Sequence, residues 1–134
     1  GTLLEGLVEP YVIVRKAGMK IGVIGLLTDI MKVVDKNIAM ELQYQEPADV
    51  VIPLASMLKD EKDCDMVICL SHLGYKEDKE LASQIKNVDV IVGGHSHTLL
   101  HKKQVVVDSE GEEVVVVQNW KWGLNVGHLT VKAE

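Results

Sequence analysis

Three histidines stand in glycine-containing loops: His72 in Ser71-His72-Leu73-Gly74, and His95 and His97 in Gly93-Gly94-His95-Ser96-His97-Thr98. Each loop follows a short apolar run, 65–70 and 88–92, that reads as a strand, and residues 77–85 between them read as an amphipathic helix. A strand, a helix and a strand in so short a span form a right-handed crossover between parallel strands, with ligand loops at the strands' carboxyl ends. His72, His95 and His97 can therefore converge although the first is distant from the others in sequence. Neutral imidazole is the commonest protein ligand for zinc, copper, iron or nickel, and the paired glycines let the backbone turn sharply enough to present both side chains.

A lone histidine at a strand end is more often a polar loop residue or a hydrogen-bonded cap, so metal ligation is carried by the three together. His101, beside Lys102 and Lys103 in a polar loop, and His128, on an expected strand, take structural roles. Asp29, Asp35, Asp89 and Asp108 are carboxylates that spacing alone does not assign to a metal, and solvated turns are the plainer expectation for most of them. Trp120-Lys121-Trp122-Gly123 fits the cover of a core edge better than a base-stacking platform. Gly22-Val23-Ile24-Gly25 is not a dinucleotide fingerprint, and there is no Walker lysine. Cys64 and Cys69 lie in or beside one strand, where a rise of about 3.3 Å per residue carries them beyond the roughly 7 Å limit for a bridge. With no second Cys or His pair at matching distance they make no zinc clip, so both are expected free and buried. Their usage leaves the compartment open.

The elements that must position these loops follow from composition and pattern. A chain of 134 residues with 47% hydrophobic and 25% charged side chains is one domain or part of one. A net charge of −6 gives no support to a nucleic-acid partner held by phosphate neutralisation. The longest apolar runs, 21–27 and 66–70, fall far short of the roughly 20 residues of a membrane span. The amino-terminal Gly1-Thr2-Leu3-Leu4-Glu5 lacks a signal peptide's basic region and apolar core, and without an initiating Met it reads as processed, tagged or cut. Abundant Val and the absence of Phe favour a core of buried strands. Runs 11–15 and 20–27 around Lys16-Ala17-Gly18-Met19 suit a hairpin. Glu46-Pro47-Ala48-Asp49 opens a helix ending near Lys59, with Pro53 arguing for a break. Three further strands are expected at 104–107, 113–118 and 126–131, with Asp108-Ser109-Glu110-Gly111 turning the first into the second.

Taken together, Lys20-Ile-Gly-Val-Ile-Gly-Leu-Leu-Thr28, Ser71-His72-Leu73-Gly74-Tyr75, the segment from Val88 to Thr98 and that from Val117 to Leu129 resemble the dinuclear metallophosphatase (calcineurin-like phosphoesterase) domain of the 5'-nucleotidase and UDP-sugar hydrolase family. The Gly-Gly-His-Ser-His piece is the most specific, and the match runs from about Tyr11 to the end. The resemblance implies an α/β fold, part of a four-layer αββα sandwich with mixed sheets. It implies two divalent metals, with zinc, manganese, iron, cobalt and magnesium all open, that bind the phosphate and activate a water. His72 and His95 are implied as ligands of one metal and His97 of the other. Two such cations clamp phosphoryl oxygens and lower the pKa of a bound water for in-line attack.

The family pattern also includes, ahead of the matched region, an Asp-x-His pair, a Gly-Asp whose carboxylate bridges the metals, and a Gly-Asn-His segment. None of the three occurs in this sequence. Residues 1–134 are thus expected to be the C-terminal half of a metallophosphatase catalytic domain, inactive alone, whose parent hydrolyses phosphate esters of nucleotides. Self-association or the N-terminal half would cover its sheet. The resemblance also implies a periplasmic or cell-surface parent. The rival is a non-catalytic module holding at most one weak metal site, and a Rossmann-type half-domain is disfavoured by the missing glycine fingerprint.

Overall fold

The structure, a computed structural model, describes residues 6–31 and 33–132. Residues 1–5, read above for a leader, lie outside the described residues. Six strands form one mixed sheet in the order β1-β2-β3-β4-β6-β5. They are β1 Tyr11–Lys16, β2 Met19–Leu27, β3 Met66–His72, β4 Val90–Gly93, β5 Gln104–Val107 and β6 Glu113–Gln118. Strands β2, β3, β4 and β6 run parallel, and β1 and β5 are antiparallel edges. The mixed α/β sheet is the one expected.

The β1–β2 hairpin closes on Ala17 and Gly18, at φ 51° and 81°, between paired Lys16 and Met19. A two-residue turn with both central residues at positive φ matches the right-handed twist of the strands it joins. Helices α1 Lys36–Glu41, α2 Pro47–Asp60 and α3 Tyr75–Gln84 complete the elements. Helix α1, not expected from the sequence, is capped by Asp35: its Oδ1 accepts from Asn37 N at 2.8 Å.

Helix α2 runs unbroken through Pro53, a correction to the expected break. Pro53 and Asp49, the residue whose carbonyl it leaves without a helical donor, both lie on the exposed side, and Val51, Ala55 and Leu58 on the opposite side are fully buried against the sheet. Leu58 rests on Gly22, where a Cβ would meet its Cδ1 at 2.8 Å, so glycine sets the approach of α2 to β2. Truncating Leu58 to Ala would cost about 2–5 kcal/mol.

Both α2 and α3 pack on one face of the sheet. The core between them holds Ile24, Val67, Cys69, Ile91, Val114 and Val116 from alternate strand positions. Cys64 and Cys69 are free and buried, as expected, and burial pushes the Cys69 thiol up to about 12, with Asp78 adding to the shift. The intervening positions, among them Val12, Val14, Leu70, Val105 and Val107, point to the other face and are exposed, with Leu70 at 57%. Among the described residues nothing covers this apolar face, although strands apolar on both sides are ordinarily covered on both.

Two aspartates tie strand starts together. Asp65 Oδ2 accepts from Lys20 N at 2.6 Å, and Asp89 Oδ2 accepts from Val67 N at 2.7 Å while pairing with Lys59 at 3.0 Å. Asp108, buried, holds its own turn by accepting from Glu110 N and Glu112 N. Asp89 and Asp108 are thus structural rather than merely solvated.

The expected strand 126–131 does not form: those residues pair with no strand, and the outer edge of β6 is taken by β5. His128 is therefore on an exposed irregular segment. Trp120 and Trp122 are corrected too. They do not cover a core edge, and Trp122 is 78% exposed.

Candidate functional site

Strand β3 extends two residues beyond the expected 65–70 run, and His72 is its last residue, in register with Leu27 of β2. Helix α3 starts at Tyr75, two residues before the expected start, after Gly74 at φ 118°. Only glycine takes that backbone conformation without cost, and it compresses the exit from β3 into one tight corner. Strand β4 ends at Gly93, beside Gln118, the last residue of β6. The parallel strands therefore deliver His72, the Gly94–Thr98 loop and the Asn119–Trp122 segment to one end of the sheet.

There the rings of His72 and His95 meet edge to face, with centroids 5.0 Å apart and planes at 65°. Both side chains are exposed. His97 is turned elsewhere: its ring faces Trp122, centroids 6.3 Å apart. The crossover thus brings two of the three candidate imidazoles together. His95 and His97 both adopt positive φ, 68° and 52°. Left-handed backbone at a non-glycine residue costs on the order of 1–3 kcal/mol and persists only where surrounding bonds over-determine it.

Those bonds come from Gln118, a side chain 3% exposed. Its Nε2 donates to Gly94 O at 2.9 Å, and its Oε1 accepts from Ser96 Oγ at 3.0 Å and from the Thr98 backbone N–H. Ser96 Oγ in turn accepts from Tyr75 N at 2.9 Å, joining the loop to the start of α3. Beneath lies Asp78, fully buried on α3, whose Oδ1 accepts from Ser71 Oγ at 2.5 Å while Oδ2 has no hydrogen-bond partner among the described residues. Burial raises the Asp78 carboxyl above its ordinary range, the Ser71 bond opposes this, and Glu77 adds to it. A Cβ on Gly93 would collide with Asp78 Oδ2, so glycine at that position makes the space the carboxylate fills.

Neither Gln118 nor Asp78 was assigned a role from sequence, although each leaves a signal. Val114, Val116 and Gln118 share the buried register of β6, and Asp78, Leu81, Ala82 and Ile85 share one buried helical stripe. A polar residue in an apolar register is the mark of an internal hydrogen-bonding role.

The donors fit part of a metal site. His72 and His95 would offer two imidazole nitrogens to one divalent ion, fewer than the three protein ligands usual for a catalytic zinc. Among the described residues no group of three or more His, Cys, Asp or Glu side chains is arranged to hold an ion. Asp29, just past the end of β2, keeps its Oδ1 on Met31 N at 2.9 Å.

No family model matches the chain. It is 30% identical over 131 residues to the trifunctional nucleotide phosphoesterase protein of Bacillus subtilis, covering 98% of this chain and 9% of that protein. It is 31% identical to a probable 5'-nucleotidase of Treponema pallidum, covering 96% of this chain and 24% of that one. In structure it superposes on a 5'-nucleotidase precursor from Thermus thermophilus with a TM-score of 0.81 and 37% identity, over 90% of this chain and 26% of that one. The NAD nucleotidase of Haemophilus influenzae follows with a TM-score of 0.76 and 26% identity, over 88% of this chain and 26% of that one. The chain spans about a quarter or less of the length of these relatives. Over nearly its whole length, the chain matches a segment of the 5'-nucleotidase family, whose members are phosphoester hydrolases.

Proposed function

We propose that this chain is the C-terminal half of a metallophosphatase catalytic domain whose parent hydrolyses phosphate esters of nucleotides. The observation that carries this is the meeting of His72 and His95 at adjacent strand ends, 5.0 Å between centroids, in a chain so similar to nucleotide phosphoesterases. His72 and His95 would hold one divalent ion, and His97 would serve a second together with ligands from the rest of the parent. Such ions supply charge to a phosphoryl group and lower the pKa of a bound water. This chain's own part is to hold two imidazoles at fixed separation on a loop whose backbone is pinned from below.

The uncovered apolar face supports a parent domain in which the remaining half, or a second copy of the chain, lies against the sheet. An exported parent is part of the same proposal, in keeping with relatives that include a snake venom 5'-nucleotidase. Zinc or manganese titrated into the chain under calorimetry tests the ligand assignment. His72→Ala and His95→Ala are each expected to abolish the strongest binding step, and unchanged binding in both variants would overturn it.

A further inference from the structure

We infer that Gln118 is a positioning residue for His95, acting through the backbone on both sides of it, and that Ser96 couples this strap to helix α3. One buried amide spans the loop: it donates to Gly94 O at 2.9 Å before His95, and accepts at Thr98 N just after His97. The direction of the amide is fixed by its partners, since a carbonyl needs a donor and an N–H an acceptor. No apolar residue of the same size satisfies both, and the left-handed φ values of His95 and His97 have no glycine to relieve them.

Ser96 completes the device. Its Oγ lies 3.0 Å from Gln118 Oε1, 2.9 Å from Thr98 Oγ1 and 2.9 Å from Tyr75 N. Tyr75 opens the helix that begins three residues after His72. A shift of the His95 loop is thereby tied to a shift of the corner that carries His72, which fixes the separation between the two rings. Gln118 stands at the end of β6, an element anchored by Val114 and Val116 in the core, so the strap pulls against a rigid support.

The role rests on the metal assignment above, and the test separates the two. The full chain is prepared with Gln118→Leu, Ser96→Ala and Ser96→Thr. Amide exchange at Tyr75 and Thr98 and the imidazole NMR signals of His72 and His95 are followed without metal, and zinc chloride is then titrated in. Gln118→Leu is expected to speed Thr98 exchange at least tenfold, move the His95 signals and weaken zinc binding by about 10–100-fold, the usual cost of losing a support behind a metal ligand. Ser96→Ala, an exposed site that leaves the core untouched, is expected to release Tyr75 and weaken zinc, and Ser96→Thr to restore both. Protected amides and unmoved His95 signals in Gln118→Leu would overturn the inference whether or not zinc binds. A wild-type chain that binds no zinc, yet whose loop is released by Gln118→Leu, would support positioning and count against the metal assignment alone.

Discussion

A Cβ on Gly94 would stand 3.2 Å from Nδ1 of His72 and 3.4 Å from the carbonyl oxygen of Ser71, so the His72 ring occupies space that only a glycine leaves. One face of the imidazole pair is therefore shaped by the loop that carries the other imidazole. His72 is wedged between its own strand end and the backbone after β4, and Nδ1 is the nitrogen turned to that wall.

Gly94→Ala forces the His72 ring to move by a few tenths of an ångström, and Gly94→Val forces more. Because imidazole donors tolerate little displacement, the alanine variant is expected to lose about tenfold in zinc affinity with the fold retained. Calorimetry beside a thermal melt checks it. A melt lowered by many degrees together with unchanged affinity would mean that Gly94 serves the loop and not the ring.

The parallel crossover and the ends of its strands were legible because apolar runs and an amphipathic stripe are set by local sequence. That His72 and His95 stand at the carboxyl ends of adjacent parallel strands follows from that pattern, although β3 runs on through His72 where a loop was expected. The orientation of His97 toward Trp122 was not legible, since it depends on left-handed backbone at two histidines, which no spacing reveals. Pro53 misled because its effect depends on which side of α2 faces water. The run 126–131 misled because Val126, Thr130 and Val131 state only a preference for strand, while a strand also requires a partner, and these residues pair with none. Gln118 was visible as a polar end to a valine strand, but its partners lie in the β4 loop and only the fold brings them together.

Asp78 carries a pH dependence of stability. Burial raises its carboxyl above the ordinary value, so the folded chain holds the proton more tightly than the unfolded one. That contribution is complete below the unfolded pKa, about 3.9, and is lost as pH rises through the folded value. Asp78→Asn keeps an acceptor for Ser71 without an ionisable group, so it is expected to flatten the decline and to gain on the wild type toward neutral pH. Urea unfolding at pH 4.5 and pH 8 measures this. Parallel pH profiles for the two proteins would show that the buried carboxyl does not titrate differently on folding.

The exposed face of the sheet sets how the chain behaves in solution. Val12, Val14, Leu70, Val105 and Val107 all lie on the side away from α2 and α3. Self-association that buries this face is expected, and Leu70→Glu, at a central strand position 57% exposed, is expected to shift the population toward monomer. Folding should be retained because the side chain already meets solvent. Light scattering over a tenfold concentration range decides it: a wild-type chain that stays monomeric throughout would remove self-association as the means of cover.

Catalysis is the last consequence of the two-histidine geometry. His72 and His95 supply two donors where a catalytic zinc commonly has three protein ligands, and His97 points to Trp122 rather than to them. Charge stabilisation and water activation by a metal are each worth roughly several kcal/mol, and about every 1.36 kcal/mol is tenfold in rate. Phosphate release from 5'-AMP by this chain alone, with manganese or zinc added, is therefore expected near background. Co-expression with the upstream segment of its parent is expected to raise it by several orders of magnitude, and His95→Ala in that pair to lower it again. If the chain alone turns over 5'-AMP at ordinary enzymatic rates and His95→Ala abolishes this, these residues hold a complete site and the half-domain proposal fails. If the pair is active and His72→Ala, His95→Ala and His97→Ala all leave it so, the ligand assignment fails while the domain proposal stands.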